Sequence, residues 1–305
     1  MKSDPRSDPL RVGSVADLPP SEGGASAHSG TESPPITLAA ASLAWFGRML
    51  GLVLVPLVIL VAATFIAGPL VRLVGDWRLG IDPFMPTQLR PRLPLAELAA
   101  RGVVTDVLRQ GVMALLVVGL AALACRGAGP GALARRLGFA EPTLPRASTR
   151  RLLWLLPLWP LIHITWVTAT AAALNVNFAQ GVRISPFLSP TMVTLWFAFA
   201  VLLAPIAEEL LLRGEVYARA SSFLGPAATI VVTALIFCLA HVGLEPAPRN
   251  ASALNALARP LTLLPLALTL GWLRWRTGRL WPCILLHAWS NLALVAYQLG
   301  PALWR

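Results

Sequence analysis

Long apolar runs alternate with short polar connections along this chain. Seven runs approach or exceed the roughly 20 residues that an α-helix needs to cross a bilayer. They cover about residues 49–71, 103–124, 152–174, 192–212, 227–244, 260–275 and 281–299. The fifth and sixth are short or interrupted by proline, so their ends are loosely defined. The stretch from Ala39 to Arg48 adds an interfacial lead-in to the first run. No internal repeat is visible. Residues 1–38 break the pattern: they are rich in Ser, Pro, Gly and Asp and lack apolar periodicity, so they read as a disordered polar tail. No apolar stretch follows the amino-terminal charges in the manner of a signal peptide. His28 lies in this tail and takes no assignment. The expected architecture is an all-α, polytopic membrane helix bundle of about seven transmembrane helices. It falls into a tail (1–38), amino-terminal helices and loops (39–190) and a core (191–305).

Composition sharpens this reading. The 305 residues are 56% hydrophobic and 13% charged, where a soluble domain carries about 25% charged residues. The formal charge of +11 comes from arginine, since Lys2 is the only lysine. No basic patch with interleaved aromatics falls in a polar segment, so the excess reads as membrane topology and excludes a nucleic-acid partner. Arg126, Arg135, Arg136, Arg146, Arg150 and Arg151 crowd the loop between the second and third runs. Arg213 and Arg219 follow the fourth, and Arg274, Arg276 and Arg279 separate the sixth from the seventh. The loop from 175 to 191 holds only Arg183. Placing the three basic loops in the cytoplasm sets the amino terminus there too, in agreement with Arg48. The segment from 72 to 101 is the exception, with Arg72, Arg78, Arg90, Arg92 and Arg101 facing outward. The arginine-, alanine- and proline-heavy composition suggests a bacterial inner (plasma) membrane. Cys125, Cys238 and Cys283 form no CxxC pair and read as small buried hydrophobes.

Against this background the stretch APIAEELLLRGEVYA, residues 204–218, stands out. An ionised side chain near a bilayer centre costs roughly 2.5–3.5 kcal/mol on insertion scales, so such groups face the bundle interior and partner one another. Glu208 and Glu209 point about 100° apart on a helix and cannot serve one point equally. Glu209 and Arg213 are four apart in the favourable order for an ion pair, a structural role. Glu208 therefore needs a partner from another helix. Gly225-Pro226 marks a turn, and in an antiparallel hairpin folded there Glu208 and His241 stand level, 16 or 17 residues from it. Phe237 lies one turn before His241 and can pack against the site. His287 and Asn291 share a face of the last run and can hold an oxyanion or orient a water. His163 alone on the third run reads as packing or interhelical glue.

EELLLR at 208–213, FCLAH at 237–241 and HAWSN at 287–291, in this order on apolar helices, resemble the CPBP (ABI) family. That family includes type II CAAX prenyl endopeptidases and bacteriocin-immunity proteins. The likeness covers about residues 192–299 and extends to RTGRLWPCILLHA. It implies an intramembrane endopeptidase in which Glu208 and His241 activate a water, His287 and Asn291 stabilise the oxyanion, and Arg213 holds the acidic helix through Glu209. The implied partner is a membrane peptide or protein, prenylated or not, within the lipid bilayer. The preferred chemistry needs no cofactor. Glu208, His241 and His287 supply an alternative zinc set, without the usual HExxH signature. Other classes for the same polar pocket are a non-catalytic membrane protein that binds a partner or confers immunity, and a proton-coupled transporter. The transporter finds no support in inverted repeats.

Overall fold

The computed structural model describes residues 38–140, 154–175, 184–242 and 253–303. The expected disordered tail, His28, Arg146, Arg150, Arg151 and Arg183 lie outside them. Every described regular element is helical. Helices stand over all seven apolar runs: α1 (Leu38–Arg78), α2 (Leu95–Ala124), α4 (Leu155–Leu174), α5 (Pro190–Ala220), α6 (Pro226–Ala240), α7 (Ala253–Thr277) and α8 (Trp281–Leu303), with a short α3 (Ala132–Leu137) before α4. Among the described residues α1, α2, α4 and α5 are long and apolar enough to cross a membrane, and α6 is apolar but shorter. From residue 43 onward the helices form one compact unit.

Local sequence explains the ends. Ser189 caps α5 by accepting from the Met192 amide, with Pro190 at the first helical position, where a missing N–H costs nothing. Pro226 opens α6 in the same way. Gly131 and Gly138 flank α3 at φ 79° and 82°, the left-handed region that glycine enters without strain. α6 was expected to run to residue 244 but stops at Ala240, leaving His241 as its C-cap. Gly243, Pro246 and Pro248 in the sequence beyond do not favour continuation.

The bundle has an apolar outer surface and an apolar core in which a set of polar side chains is buried. Phe65, Leu115 and Leu161 are at least two-thirds exposed and present an outer surface suited to lipid. Gln110, His163, Glu209, Arg213, Glu215, His287 and Ser290 are buried. His163 Nδ1 lies 2.6 Å from Ser290 Oγ, joining α4 to α8. Cys238 and Cys283 are buried and Cys125 is half-buried, all as free thiols. Four arginines of the 72–101 segment are held by acids. Arg90 and Arg101 lie 2.6 and 2.7 Å from Asp76, Arg78 and Arg101 lie 2.7 and 2.8 Å from Glu97, and Arg72 stands 3.9 Å from Asp76.

One feature of α5 departs from the sequence reading. Phe199–Leu203 and Leu210–Val216 are π-helical rather than α-helical. Such turns are rare and often mark functional sites, because the wider turn frees backbone groups from the regular ladder. Each segment offers a carbonyl to a side chain from elsewhere: Asn291 Nδ2 donates to Ala200 O at 2.9 Å, and Arg274 Nε donates to Arg213 O at 2.9 Å.

α6 and α7 pack closely because Gly271 has no side chain: a Cβ there would lie 3.1 Å from Ile230 Cγ2 and 3.4 Å from its Cα. Gly271→Leu should therefore wedge the pair apart and destabilise by about 1–3 kcal/mol, the usual cost of overpacking. A lower melting temperature and lower folded yield on size exclusion would register this, with Gly271→Ala milder than Gly271→Leu.

Candidate active site

The polar side chains of the site come from four helices, α2, α5, α6 and α8. The Glu208 and Glu209 carboxylates sit where α5 passes from the α-helical turn Ala204–Glu209 into the second π segment. His241 caps α6, and Phe237 lies one turn before it. His287 and Asn291 project from α8, and Gln110 from α2.

The two glutamates diverge, as helical geometry requires. Glu209 is fully buried and ion-paired to Arg213, Oε1 to Nη1, at 3.0 Å. Arg213, also fully buried, donates its Nη2 to Ala267 O on α7 at 2.9 Å, and its guanidinium lies 5.0 Å from the centre of the Phe237 ring. Glu208 is partly accessible, with 18% of its side chain exposed. Its Oε2 stands 3.8 Å from His241 Nε2 and 3.8 Å from His287 Nε2. Its Oε1 accepts from Gln110 Nε2 at 3.3 Å.

The imidazoles are oriented from behind. His241 Nδ1 lies 2.8 Å from the Phe237 carbonyl. A carbonyl only accepts, so Nδ1 carries the hydrogen and Nε2 is turned toward Glu208. His287 Nδ1 lies 2.9 Å from Glu209 Oε1. A carboxylate paired with arginine is likewise an acceptor, so here too Nδ1–H donates. His287 thus bridges both glutamates, one through each ring nitrogen. The expectation that the two acids serve separate points holds for their directions but misses this link, because an imidazole presents nitrogens on two edges. Phe237, fully buried, packs against both rings, 4.6 Å from His241 and 5.6 Å edge-on from His287.

Asn291 lies one turn beyond His287, and one of its two amide hydrogens goes to Ala200 O. Gln110 escaped the sequence reading. A lone amide in the apolar run RQGVMALL was the available signal, but nothing local to α2 connects it to a residue 98 positions away. The buried acid Glu215 was missed as well. It is held by Arg136 (2.8 Å) and Arg219 (2.6 Å). Among the described residues no group of three or more His, Cys, Asp or Glu side chains is arranged to hold a metal ion. Glu208, His241 and His287 converge in pairs without forming such a cage.

The burial pattern separates the roles of the acids. Glu209→Gln and Arg213→Ala each leave a buried charge without its partner, a loss of about 3–5 kcal/mol. Thermal unfolding and folded yield should fall sharply for both. Glu208→Gln, at a partly accessible position with no arginine partner, should melt close to the native chain. A stable Glu209→Gln beside an unstable Glu208→Gln would reverse the assignment.

No curated protein and no solved structure matches this chain. Residues 190–293 match the family described as Rce1-like, type II CAAX prenyl endopeptidase. The matched segment runs from the start of α5 into α8 and contains both glutamates, Arg213, Phe237, both imidazoles and Asn291, while Gln110 lies outside it. With helices long and apolar enough for the bilayer, this is an integral membrane protein in which residues 190–293 are similar to the Rce1-like, type II CAAX prenyl endopeptidase family.

Proposed function

We propose that this protein is an intramembrane endopeptidase that cleaves a membrane-associated peptide or protein by activating water on Glu208 and His241. The supporting observation is one carboxylate oxygen facing two imidazole nitrogens, each 3.8 Å away, inside a bundle of apolar helices. That separation is too long for a direct hydrogen bond and suits a bridging water. A carboxylate and an imidazole that both accept call for a molecule that brings its own protons, and water does so.

In this reading Glu208 takes a proton as the water oxygen attacks the scissile carbonyl, and His241 orients the water through Nε2. Gln110 fixes the rotation of the Glu208 carboxylate. His287, held at Nδ1 by Glu209 and carrying a hydrogen on Nε2 as well, donates to the developing oxyanion, and the second amide hydrogen of Asn291 joins it. Glu208 then returns its proton to the leaving amine as the tetrahedral intermediate collapses. Removing a general base costs about 10²–10⁴-fold in rate, and removing one oxyanion donor about 10²–10³-fold. No step here requires zinc.

The same reading completes seven crossings with α6, α7 and α8 and puts the amino terminus in the cytoplasm of a bacterial inner membrane. Pairing of the 72–101 arginines with Asp76 and Glu97 supports this orientation, because four of the outward-facing charges are engaged within the protein. The substrate is a peptide with a prenylated carboxy terminus, a leader peptide or a membrane protein.

Cells carrying the native chain and cells carrying Glu208→Ala should differ in their membrane peptides. At least one precursor should persist uncleaved in the variant, and His241→Ala should reproduce the defect. Identical peptide profiles at equal folded levels would leave the binding or immunity reading in its place. With that precursor as substrate, Gln110→Leu should lower turnover roughly tenfold by loosening one hydrogen bond to a charged group, without changing the melting temperature. Activity should withstand chelators; loss on chelation and recovery with zinc would assign Glu208, His241 and His287 as ligands instead.

A further inference from the structure

A second polar feature lies away from the proposed active site, at the end of α5 beyond Glu215. There α1, α3, α5 and the turn after α5 enclose a cavity of about 690 Å³ lined by Arg48, Arg136 and Arg219. Arg219 is eleven residues beyond Glu208 on the same helix, roughly 16 Å along its axis. Gly47 and Gly51 form part of the α1 wall, and a Cβ at either would meet nothing within 4 Å, so the space in front of them is open.

The charges here are arranged rather than scattered. Glu215, fully buried, takes Arg136 on both oxygens (Nε–Oε2 2.8 Å, Nη2–Oε1 2.9 Å) and Arg219 Nε on Oε1 at 2.6 Å. These bonds fix both guanidiniums yet leave Arg136 Nη1 and the two terminal nitrogens of Arg219 outside the pairing. Arg48 packs its guanidinium 5.9 Å from the centre of the Phe223 ring and has no acidic partner among the described residues. Three guanidiniums against one carboxylate leave two positive charges on an accessible recess. Arg219 stands one residue from the end of α5, and Arg48 lies within α1 directly before the apolar run that starts at residue 49, levels at which a lipid headgroup would sit. Arginine forks match phosphate oxygens, and basic pockets between membrane helices take anionic headgroups.

We propose that Arg48, Arg136 and Arg219 form a binding site for the phosphate of an anionic phospholipid, with its acyl chains running along the apolar surface of α1. Glu215 acts as the preorganising anchor: it holds two of the three guanidiniums in place and prevents them from repelling each other. A lipid seated there contacts the helix that also carries Glu208, and it bridges α1 and α3 to the core.

The test uses the full-length protein in nanodiscs of mixed phosphatidylglycerol and phosphatidylcholine, with retained lipid read by native mass spectrometry. The native chain should retain phosphatidylglycerol preferentially. Arg48→Gln should weaken that retention about fivefold, the contribution of one basic side chain at an anionic surface. Its melting temperature in pure phosphatidylcholine should not change, since Arg48 holds no buried acid. Arg126→Gln, an exposed arginine in the loop after α2, should leave retention intact. Equal retention by the native chain and Arg48→Gln would overturn the proposal. Stabilisation by millimolar inorganic phosphate with no preference between the two lipids would also overturn it, by assigning the recess to a free anion.

Discussion

The structure of the site depends on a buried charge chain: Arg213 to Glu209, and Glu209 to His287. A carboxylate and a guanidinium in the interior of an apolar bundle are tolerable only if each finds partners there. Glu209 finds two on its Oε1, and Arg213 adds the Ala267 carbonyl and the face of Phe237. The chain thereby ties α5 to α6, α7 and α8. It also settles which edge of the His287 ring faces Glu208, because Nδ1 is occupied by Glu209. A group with no direct part in the proposed chemistry thus positions one that has.

The π segments of α5 serve the same end. A regular helix would keep every carbonyl in its own ladder. Here Ala200 and Arg213 each offer one to a side chain of α8 or α7, so these two helices are locked to α5 through its backbone as well as its side chains. Gly214, in the second segment, lets Leu137 approach to within 3.2 Å of where a Cβ would stand, bringing the end of α3 against the same helix. The proposed lipid recess begins one residue later, at Glu215. Site and recess are therefore neighbours on one helix.

Much of this was legible from spacing alone. The Glu209–Arg213 pair follows from an interval of four, and the approach of Glu208 to His241 follows from counting outward from Gly225-Pro226. Both are relations within one helix or across one tight turn, where geometry is fixed by the rise per residue. Long-range relations were not legible. Gln110 and Glu208 meet across 98 positions, and Arg136 and Glu215 across 79, because helix packing sets which faces meet and sequence spacing does not. The π segments were hidden for a related reason: the donors that meet their carbonyls come from α8 for FAVLL and from α7 for LLLRGEV, not from residues within either stretch. Likewise, sharing a helix face with His287 did not reveal that Asn291 gives one of its hydrogens to Ala200. The family match supports the endopeptidase reading for residues 190–293, and the contribution of α2 to the site lies outside it.

The tautomer of His287 tests the central claim most directly. Nitrogen-15 NMR of the histidine-labelled protein in lipid reports which ring nitrogen carries hydrogen. The charge chain predicts a hydrogen on Nδ1 of His287, and loss of that signature in Glu209→Gln if enough of the variant folds to be measured. A neutral His287 with hydrogen on Nε2 and a bare Nδ1 would contradict the account, since Glu209 would then not be orienting the ring.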